Sequence, residues 1–558
     1  MSIFHKKQAV AEFLFEYLYN RGVDTAFGIP GDFVLPTFRH LDQSKISIMT
    51  CTHEPSVGFA ADCYARAKGL GLAVVTYCVG GLNMLNAVAG AYAEKSPLII
   101  VSGGPSPKDR YKDPMVHHKV KTFETQARVF EEVTCASTVI LDPDMAASEI
   151  VRVVEEVKRQ SRPGYIELPF DIADALIDPF KQLRKYKPPL EESDKDVLEA
   201  FIEQAAKSIN KSKKPVIVAG VELHRHGLTD LASDLAKLYN IPIAATLMGK
   251  SVVRETNPLY IGVYGGACSD PICQEYVESS DCVILIGAFL SDVLLGFGMT
   301  KLDRKKAINL NTEKAQIGLQ SYDNVCFTDA LEALTQAPIK SRGEFINPNP
   351  YTPPQKVIID QSNQDDPITV EAMFNLLANY LEENHSIVCD TGDALVGALG
   401  LRTSVRGHFF SDAYYLSMGF AVPGALGVMA AFPESKTFII VGDGAFQMTG
   451  MELSSMAKYG LKPVVIIINN DGYGTQRHII DGTFNNIHPW DYTRITDVLG
   501  YGASIKATTM STFNNALSYA QDHDEMVVIE VVVPRDDCSK PLQRMGELLG
   551  RVRDVNKH

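Results

Sequence analysis

Short apolar runs rich in valine and isoleucine recur along the chain, and segments with helical periodicity separate them. Uninterrupted apolar runs of this length are typical of strands that are covered on both faces of a parallel sheet. Their alternation with helical segments predicts an α/β fold in which parallel sheets are flanked by helices. The clearest predicted strands are residues 73–78, 98–102, 215–219, 282–287, 386–389, 437–441 and 464–468.

Two stretches without apolar periodicity interrupt this pattern. Residues 179–194 and 347–367 combine prolines with charged and polar residues, a composition typical of linkers. They separate three blocks of ordinary domain size. The predicted domains are residues 1–182, 195–345 and 366–558.

Composition and charge narrow the class of protein. The chain is 46% apolar and 22% charged, as in soluble globular proteins, and no apolar run approaches the roughly 20 residues of a membrane span. A net charge of −14 without a long basic run argues against nucleic acid or an anionic membrane as a partner. Glu12 and Glu16 interrupt the apolar N-terminal segment, which favours an amphipathic helix over a signal peptide. Ten scattered cysteines favour a reducing compartment, so a cytoplasmic location is expected.

Two polar segments follow neighbouring apolar runs in the last block. Gly-Asp-Gly at 442–444 follows the run 437–441, and Asn-Asn-Asp-Gly at 469–472 follows the run 464–468. Ligands of open parallel sheets bind at the carboxyl ends of the strands. Both polar segments are therefore expected to lie at one crevice.

The side chains of these two segments suit a metal and a phosphate. The carboxylate of Asp443, the side-chain carbonyl of Asn470 and the backbone carbonyl of Gly472 are oxygen ligands of the kind that Mg²⁺ prefers, and Mg²⁺ often shares its shell with phosphates. Gly444 is expected to let a diphosphate approach the backbone. A helix beginning near Phe446 is expected to direct its first amides at that diphosphate.

This spacing of Gly-Asp-Gly and Asn-Asn resembles the diphosphate-binding motif of thiamine diphosphate enzymes. The three-block layout is similar to that of the 2-oxo acid decarboxylases of this family over nearly the whole chain. The resemblance implies thiamine diphosphate and Mg²⁺ as cofactors, a pyrimidine-binding first domain, a mostly structural middle domain and a diphosphate-binding last domain. It also implies active sites shared between subunits, hence a homodimer at least and commonly a homotetramer.

The resemblance supplies candidate catalytic residues. Glu54, in His-Glu-Pro-Ser-Val-Gly-Phe-Ala-Ala-Asp, resembles the glutamate that hydrogen-bonds N1′ of the pyrimidine and so activates the cofactor. Asp32, His117 and His118 resemble the residues that transfer a proton to the product, a role suited to the pKa of histidine. Gln476 departs from the pattern, because pyruvate decarboxylases carry a glutamate there and an amide cannot transfer protons at neutral pH. Without the resemblance, Asp32 is also compatible with an ordinary turn and Glu54 with a favourable charge at the start of a helix. His117 and His118 are then compatible with an exposed histidine pair that has no catalytic role.

Further cofactor contacts are implied by the same resemblance. The backbone carbonyl of Leu416 is expected to accept a hydrogen bond from the pyrimidine amino group, and Met418 is expected to wedge beneath the cofactor. The implied cofactor-binding residues are Glu54, Thr391, Asp393, Leu416, Met418, Gly442, Asp443, Gly444, Ala445, Asn470 and Gly472.

The substrate is expected to be an aromatic 2-oxo acid. Val293, Leu395 and Thr475 stand where pyruvate-specific relatives carry larger side chains, and several segments are most similar to bacterial phenylpyruvate and indolepyruvate decarboxylases. Pyruvate, branched-chain 2-oxo acids and a carboligase of the acetolactate synthase type stay open, although a proton-donating histidine pair favours aldehyde release. A nicotinamide-dependent dehydrogenase is disfavoured because no Gly-x-Gly-x-x-Gly segment follows a strand.

Overall fold

The structure is a computed structural model that describes residues 7–184, 186–187, 192–292, 300–353, 356–403 and 405–555. Val293 lies outside the described residues. Within them, no helix has both the length and the apolar character needed to span a bilayer.

Helices follow most strands along the chain, as the alternating pattern predicts. The helices are α1 (Val10–Asn20), α2 (Leu35–Asp42), α3 (Glu54–Lys68), α4 (Val79–Asn83), α5 (Leu85–Ala93), α6 (Pro107–Lys112), α7 (Thr125–Glu131), α8 (Ala146–Gln160), α9 (Pro179–Leu183), α10 (Lys195–Lys211), α11 (Glu222–Arg225), α12 (Thr229–Tyr239), α13 (Pro271–Glu278), α14 (Phe327–Gln336), α15 (Val370–Leu377), α16 (Asp393–Ala398), α17 (Ala421–Ala431), α18 (Asp443–Thr449), α19 (Leu453–Lys458), α20 (Gly474–Arg477), α21 (Ile495–Leu499), α22 (Met510–Asp522) and α23 (Lys540–Val555).

The chain forms two compact units, and the first contains a six-stranded sheet. This unit comprises the described part of residues 1–189 together with Gly419–Thr437 and Gln447–Leu461. All neighbouring strands of the sheet run parallel. A short antiparallel pair, β1 (Gln8–Ala9) with β8 (Leu176–Ile177), lies beside it. The sheet order is β3 (Ser47–Thr50), β2 (Thr25–Gly28), β4 (Gly71–Val75), β5 (Leu98–Gly104), β7 (Gly164–Pro169), β6 (Ala136–Val139).

Close packing of α17 on α3 explains why part of the last block belongs to the first unit. A Cβ atom at Gly427 would lie 1.9 Å from the carbonyl oxygen of Ala60, and one at Gly424 would lie 2.7 Å from the sulfur of Cys63. Only glycine therefore permits the two helices to approach so closely. The helix α3, which begins with Glu54, is buried along most of its length, and α17 is one of the elements that cover it.

The second unit contains two sheets. In one, β9, β10, β11, β12 and β13 pair in parallel, but β14 and β15 add an antiparallel edge that the apolar pattern does not predict. This sheet has the order β11 (Tyr260–Tyr264), β10 (Ile243–Thr246), β9 (Pro215–Ala219), β12 (Cys282–Ile286), β13 (Ala307–Asn311), β14 (Lys314–Ile317), β15 (Gln320–Ser321). The other has the order β17 (Phe409–Ser411), β16 (Ser386–Cys389), β18 (Thr437–Gly442), β19 (Val464–Asn469), β21 (Val527–Val532), β20 (Ala503–Ala507).

The strands β18 and β19 are parallel neighbours, as predicted. Their paired residues, from Phe438 with Val464 to Gly442 with Ile468, place both polar segments at the same edge of the sheet. The helix after β18 begins at Asp443 and not near Phe446, so the acidic residue itself stands in the first turn. The predicted linker 179–194 is also partly helical, because α9 occupies its first five residues.

Candidate active site

A cavity of about 380 Å³ lies at the carboxyl ends of β16, β18 and β19. The structure brings together here every predicted cofactor contact except Glu54, which belongs to the first unit. Gln476, Leu395 and Thr475 also line the cavity. The predicted cofactor contacts in its wall are Thr391, Asp393, Leu416, Met418, Gly442, Asp443, Gly444, Ala445, Asn470 and Gly472.

The carboxylate of Asp443 is almost completely buried in this wall, with 1% of the residue exposed. Its Oδ1 accepts a hydrogen bond from the amide of Gly444 at 2.7 Å, and its Oδ2 accepts one from the amide of Gly472 at 2.9 Å. Burial raises the pKa of Asp443 to about 6, although these amides oppose the shift. A buried carboxylate that is incompletely compensated in this way is suited to bind a cation.

The loop of Asn470, Asp471 and Gly472 has a shape that depends on Arg477, a residue that sequence reasoning missed. Its guanidinium donates to the carbonyl oxygen of Asn470 at 2.7 Å and also to that of Asp471. Asp471 has φ 62° and Gly472 has φ 134°, and a Cβ at Gly472 would lie 2.2 Å from the carbonyl oxygen of Asn485. The buried arginine and the glycine thus hold the backbone in its unusual conformation. No local sequence motif identifies Arg477, because its closest partners are backbone atoms.

The two glycines of the Gly-Asp-Gly segment have different surroundings. A Cβ at Gly444 would lie 2.6 Å from the ring of Tyr473, so the missing side chain makes room for that ring. A Cβ at Gly442 would have no atom within 4 Å. The open approach to the backbone is therefore at Gly442, whereas the sequence interpretation placed it at Gly444.

Backbone strain marks the segment before Met418. Leu416 has φ 59°, a left-handed conformation that costs a residue with a side chain about 1–2 kcal/mol. The amide of Ser417 donates to Oδ2 of Asp412 at 2.7 Å, which holds the next residue in place. Leu416 and Met418 both line the cavity, so the strain is located at a wall of the site.

Asp393 has a partner that the sequence did not indicate. Its two carboxylate oxygens accept hydrogen bonds from the amide of Ser539, at 2.8 Å, and from the hydroxyl of the same serine. Ser539 immediately precedes α23, and Leu542 and Met545 of that helix line the cavity. Asp393 therefore ties the start of α16 to the helix that covers one side of the cavity.

In the first unit, Glu54 is the first residue of α3. Its Oε2 accepts a hydrogen bond from the side-chain amide of Asn83 at 2.7 Å. The N-terminal end of a helix stabilises the ionised carboxylate, and the amide partner fixes its direction. Among the residues that the structure describes, the second carboxylate oxygen accepts no further hydrogen bond.

The residues before Glu54 are anchored by Glu452, a buried carboxylate that sequence reasoning missed. Thr52 donates its amide to both oxygens of Glu452, at 3.1 and 3.3 Å, and its hydroxyl to Oε2 at 2.8 Å. The hydroxyl of Ser455 donates to Oε1. Only 1% of Glu452 is exposed, so its position depends on these contacts. We therefore assign it a structural role in holding the segment that leads to Glu54.

Substitution of Glu452 by glutamine is expected to lower the free energy of unfolding by about 1–3 kcal/mol, because an amide donor would face the donors of Thr52. Urea denaturation monitored by circular dichroism measures this loss. The exposed Glu434 provides a matched control, since Glu434→Gln makes the same chemical change without a buried partner. Equal stability of the two variants would contradict the assignment.

Asp32, His117 and His118 lie together at the end of β2. Nε2 of His117 donates to Oδ2 of Asp32, and Nε2 of His118 lies 3.8 Å from Oδ1. Burial alone would raise the pKa of Asp32, but the hydrogen bond from His117 and further interactions outweigh it and lower the pKa. The ring of His117 stacks on Phe33 at 4.9 Å between centroids. The arrangement forms a compact carboxylate–imidazole group that can hold a proton.

Three segments of the chain match domains of thiamine pyrophosphate enzymes. Residues 8–127 match the N-terminal TPP-binding domain, residues 202–336 the central domain and residues 390–531 the C-terminal TPP-binding domain. The chain is 32% identical to an indole-3-pyruvate decarboxylase of Azospirillum brasilense over 539 residues, which cover 96% of this chain and 97% of the relative. The chain belongs to the thiamine-pyrophosphate-dependent 2-oxo acid decarboxylases.

Other relatives of this decarboxylase are nearly as similar in sequence but are named for pyruvate or for 2-oxo acids in general. Pyruvate decarboxylase 4 of Arabidopsis thaliana is 31% identical over 545 residues, which cover 95% of this chain and 89% of the relative. An alpha-keto-acid decarboxylase of Mycolicibacterium paratuberculosis is 31% identical over 536 residues, which cover 94% of each chain. The decarboxylase is thus a carboxy-lyase of 2-oxo acids, and its relatives leave the particular acid unresolved.

The cavity of the decarboxylase fits thiamine pyrophosphate. The open backbone at Gly442 and the first amides of α18 suit its diphosphate, while Leu416 and Met418 offer a backbone acceptor and an apolar surface. The incompletely compensated carboxylate of Asp443 suits the accompanying cation. When bound, the cofactor supplies the electron sink for the loss of CO₂.

Proposed function

We propose that this decarboxylase acts on aromatic 2-oxo acids such as phenylpyruvate or indole-3-pyruvate and releases the aldehyde and CO₂. The observation that carries this proposal is the cavity wall, which Leu395 and Thr475 line beside the predicted cofactor contacts. Burial of an aromatic ring there would contribute about 25 cal/mol per Å² of apolar area. The indole-3-pyruvate decarboxylase relative supports the same substrate class.

We propose the following roles for the side chains. Glu54 forms a hydrogen bond with the pyrimidine of the cofactor. Asp32, His117 and His118 together deliver a proton to the carbon that has lost CO₂. Gln476 lines the cavity and donates a hydrogen bond to the substrate carboxylate, because its amide cannot transfer protons.

The cation is proposed to be Mg²⁺, bound by the carboxylate of Asp443, the side-chain oxygen of Asn470 and the backbone oxygen of Gly472. Residues 1–182 are proposed to bind the pyrimidine and residues 366–558 the diphosphate, with 195–345 as a structural domain. The three family matches fall inside these ranges, which supports them. We further propose a cytoplasmic enzyme, consistent with ten free thiols, and a homodimer or homotetramer, which sedimentation analysis can distinguish.

Measurement of CO₂ and aldehyde with phenylpyruvate, indole-3-pyruvate, branched-chain 2-oxo acids and pyruvate tests the substrate class. We expect the highest kcat/KM for an aryl substrate in the presence of thiamine pyrophosphate and Mg²⁺. A higher kcat/KM for pyruvate would overturn the aromatic assignment. Accumulation of acetohydroxy acids in place of aldehyde would instead indicate carboligation.

Thr475 offers a sharper test of the same proposal. The substitution Thr475→Ile adds bulk at the cavity wall, whereas Thr475→Val keeps the size and serves as the control. Because one methylene group in a pocket commonly changes discrimination by about 10- to 200-fold, we expect Thr475→Ile to lower the kcat/KM ratio of phenylpyruvate to pyruvate about tenfold or more. An unchanged ratio would show that this wall does not contact the aryl group.

A further inference from the structure

The segment 105–123, called here the histidine segment, connects β5 to the start of α7 and carries His117 and His118. Much of it is exposed: Tyr111 is 91% and Met115 is 96% accessible to solvent. Its regular structure is limited to the short helix α6. The position of both histidines therefore depends on the few contacts that join this segment to the rest of the first unit.

Arg110 makes a charged contact of this kind. Its side chain is only 8% exposed and donates to Oε1 of Glu167 on β7. The same guanidinium donates to the carbonyl oxygen of Phe123 at 3.3 Å. One side chain thus joins the beginning of the histidine segment, its end and the sheet.

Glu167 belongs to a buried network of hydrogen bonds. It is completely inaccessible, and its Oε2 accepts a hydrogen bond from the hydroxyl of Tyr165 at 2.7 Å. That hydroxyl accepts from the side-chain amide of Gln126 at 2.6 Å. Oε1 of Gln126 accepts from the backbone amide of Cys78 at 2.7 Å. A Cβ at Gly104 would lie 2.6 Å from Oε1 of Glu167, so a glycine makes room for this carboxylate.

The end of the histidine segment also abuts the aromatic residues that hold His117. The hydroxyl of Tyr77 donates to the carbonyl oxygen of Phe123 at 2.9 Å. Phe33, Tyr77 and Phe123 belong to one apolar cluster, against which Val116 packs. Phe33 stacks in turn on His117. Displacement of Phe123 would therefore disturb the surface on which His117 rests.

We propose that Arg110 and Glu167 form a latch that positions His117 and His118 for proton delivery without touching substrate or cofactor. They act as positioning residues, because their contacts reach the histidines through Phe123, Phe33 and the segment backbone. The expected effect of the latch on catalysis rests on the proposed function of the two histidines. Its expected effect on the order of the histidine segment is independent of that function.

The charge of Glu167 makes the latch sensitive to pH. Burial raises the pKa of Glu167 to about 7, with Arg110 and the hydrogen bonds from Tyr165 and Gln126 opposing the shift. The folded protein therefore retains this proton to a higher pH than the unfolded chain, and the anion that pairs with Arg110 is lost as the pH falls through about 7. The titratable and charged groups that act on this carboxyl or on its neighbours are Arg110, Tyr165, Glu124, Tyr77 and Cys78.

Two variants and a matched control test the latch. Arg110→Met removes the guanidinium and Glu167→Gln removes the charge with little change of shape. Lys112→Met removes an exposed positive charge from the same helix. Amide hydrogen exchange of residues 105–123, followed by mass spectrometry, is expected to be about tenfold faster or more in both latch variants and unchanged in the control. Thermal unfolding identifies any variant that fails to fold.

The kinetic measurements use the holoenzyme. We expect the latch variants to lower kcat by about 10- to 100-fold, less than the full contribution of a proton donor because the donor itself is retained, while exchange of the cofactor C2 proton stays within about twofold of wild type. Arg110→Lys should restore part of both effects, because an ammonium group can pair with Glu167 but cannot also bridge to Phe123. In the wild type, amide hydrogen exchange of residues 105–123, corrected for the intrinsic pH dependence of exchange, should become faster as the pH falls from 8 to 6. The Glu167→Gln variant should show no such change, because it has no carboxyl group to protonate at this position.

The outcomes separate the latch from the proposed function. Unaltered segment exchange in folded Arg110→Met and Glu167→Gln variants would overturn the latch. Faster exchange with normal kcat would retain the latch as a structural contact and overturn its role in positioning the histidines. Absence of decarboxylation by the wild type would overturn the proposed function, and the exchange measurement would still decide the latch.

Discussion

Substitution of Asp443 by alanine is expected to abolish binding of thiamine pyrophosphate and Mg²⁺, and with it all activity. The buried carboxylate stands at the carboxyl end of β18 and contacts the loop of Asn470 and Gly472, whereas the carboxylate of Asp393 in the same cavity wall is held by Ser539. A ligand at about 1,000 times its Kd stabilises a protein by about 4 kcal/mol. The variant should lose this stabilisation, which thermal unfolding with and without cofactor measures.

The exposed Asp536 provides the control for this experiment. Asp536→Ala removes the same charge from the same compact unit and should retain the full thermal shift. Isothermal titration calorimetry gives the affinity directly. If the Asp443 variant bound the cofactor and metal with unaltered affinity, the assignment of the cation site would be wrong.

Substitution of Glu54 by alanine is expected to lower kcat by about 10²–10⁴-fold while the protein still folds. The carboxylate is proposed to exchange a proton with the pyrimidine of the cofactor, and in the structure its own contact is the hydrogen bond from Asn83. Loss of a favourable charge at the start of α3 should cost only about 0.3–1 kcal/mol of stability. Exchange of the cofactor C2 proton, followed by NMR, measures the catalytic defect.

Asn83→Ala separates the direction of the Glu54 carboxylate from its chemistry. This variant keeps the acid and removes its partner, so we expect a fall in C2 exchange of about tenfold at most. Wild-type C2 exchange in the Glu54→Ala variant would refute the proposed role of the glutamate. A large loss in Asn83→Ala with retained exchange in Glu54→Ala would indicate that the amide, and not the acid, acts on the cofactor.

Strand positions were predictable because buried parallel strands need uninterrupted apolar side chains. The predicted strands 215–219 and 386–389 coincide with β9 and β16, and the predicted neighbours 437–441 and 464–468 form β18 and β19. The antiparallel edge of β14 and β15 escaped prediction. The strand β14 mixes exposed, buried and half-buried residues and both residues of β15 are exposed, so the two strands lack a continuous apolar signal.

Turn and helix boundaries were less predictable. The helix α18 begins three residues before the expected Phe446, and the space left by Gly444 is taken by Tyr473. A Gly-Asp-Gly segment is compatible with several backbone paths, and the choice depends on contacts with the loop after β19. The two glycines indicate that the backbone is closely approached there. The sequence does not show by what, because Tyr473, the neighbour of Gly444, is distant in the chain.

The residues that hold the site in place could not be found from local patterns. Glu452 binds Thr52, Arg477 binds backbone carbonyls, Ser539 binds Asp393, and Arg110 binds Glu167. None of these contacts follows a short motif, and three of them join residues more than 50 positions apart. Each of these polar residues has a structural role because its hydrogen bonds are buried, and burial can be seen only in the folded chain.

The amino-acid sequence by itself determined the α/β class, the pair of parallel strands, the cofactor family and a set of candidate residues, most of which line one cavity. It did so because apolar periodicity and short polar motifs are local, and strand ends must gather at one edge of a sheet. Only the tertiary structure decided which backbone opens to the cavity, which part of the last block packs on α3 and how buried Glu452 and Glu167 hold their segments. These features depend on close contacts between residues that are distant in the chain. A local stretch of sequence does not indicate whether such residues are buried or which way their side chains point.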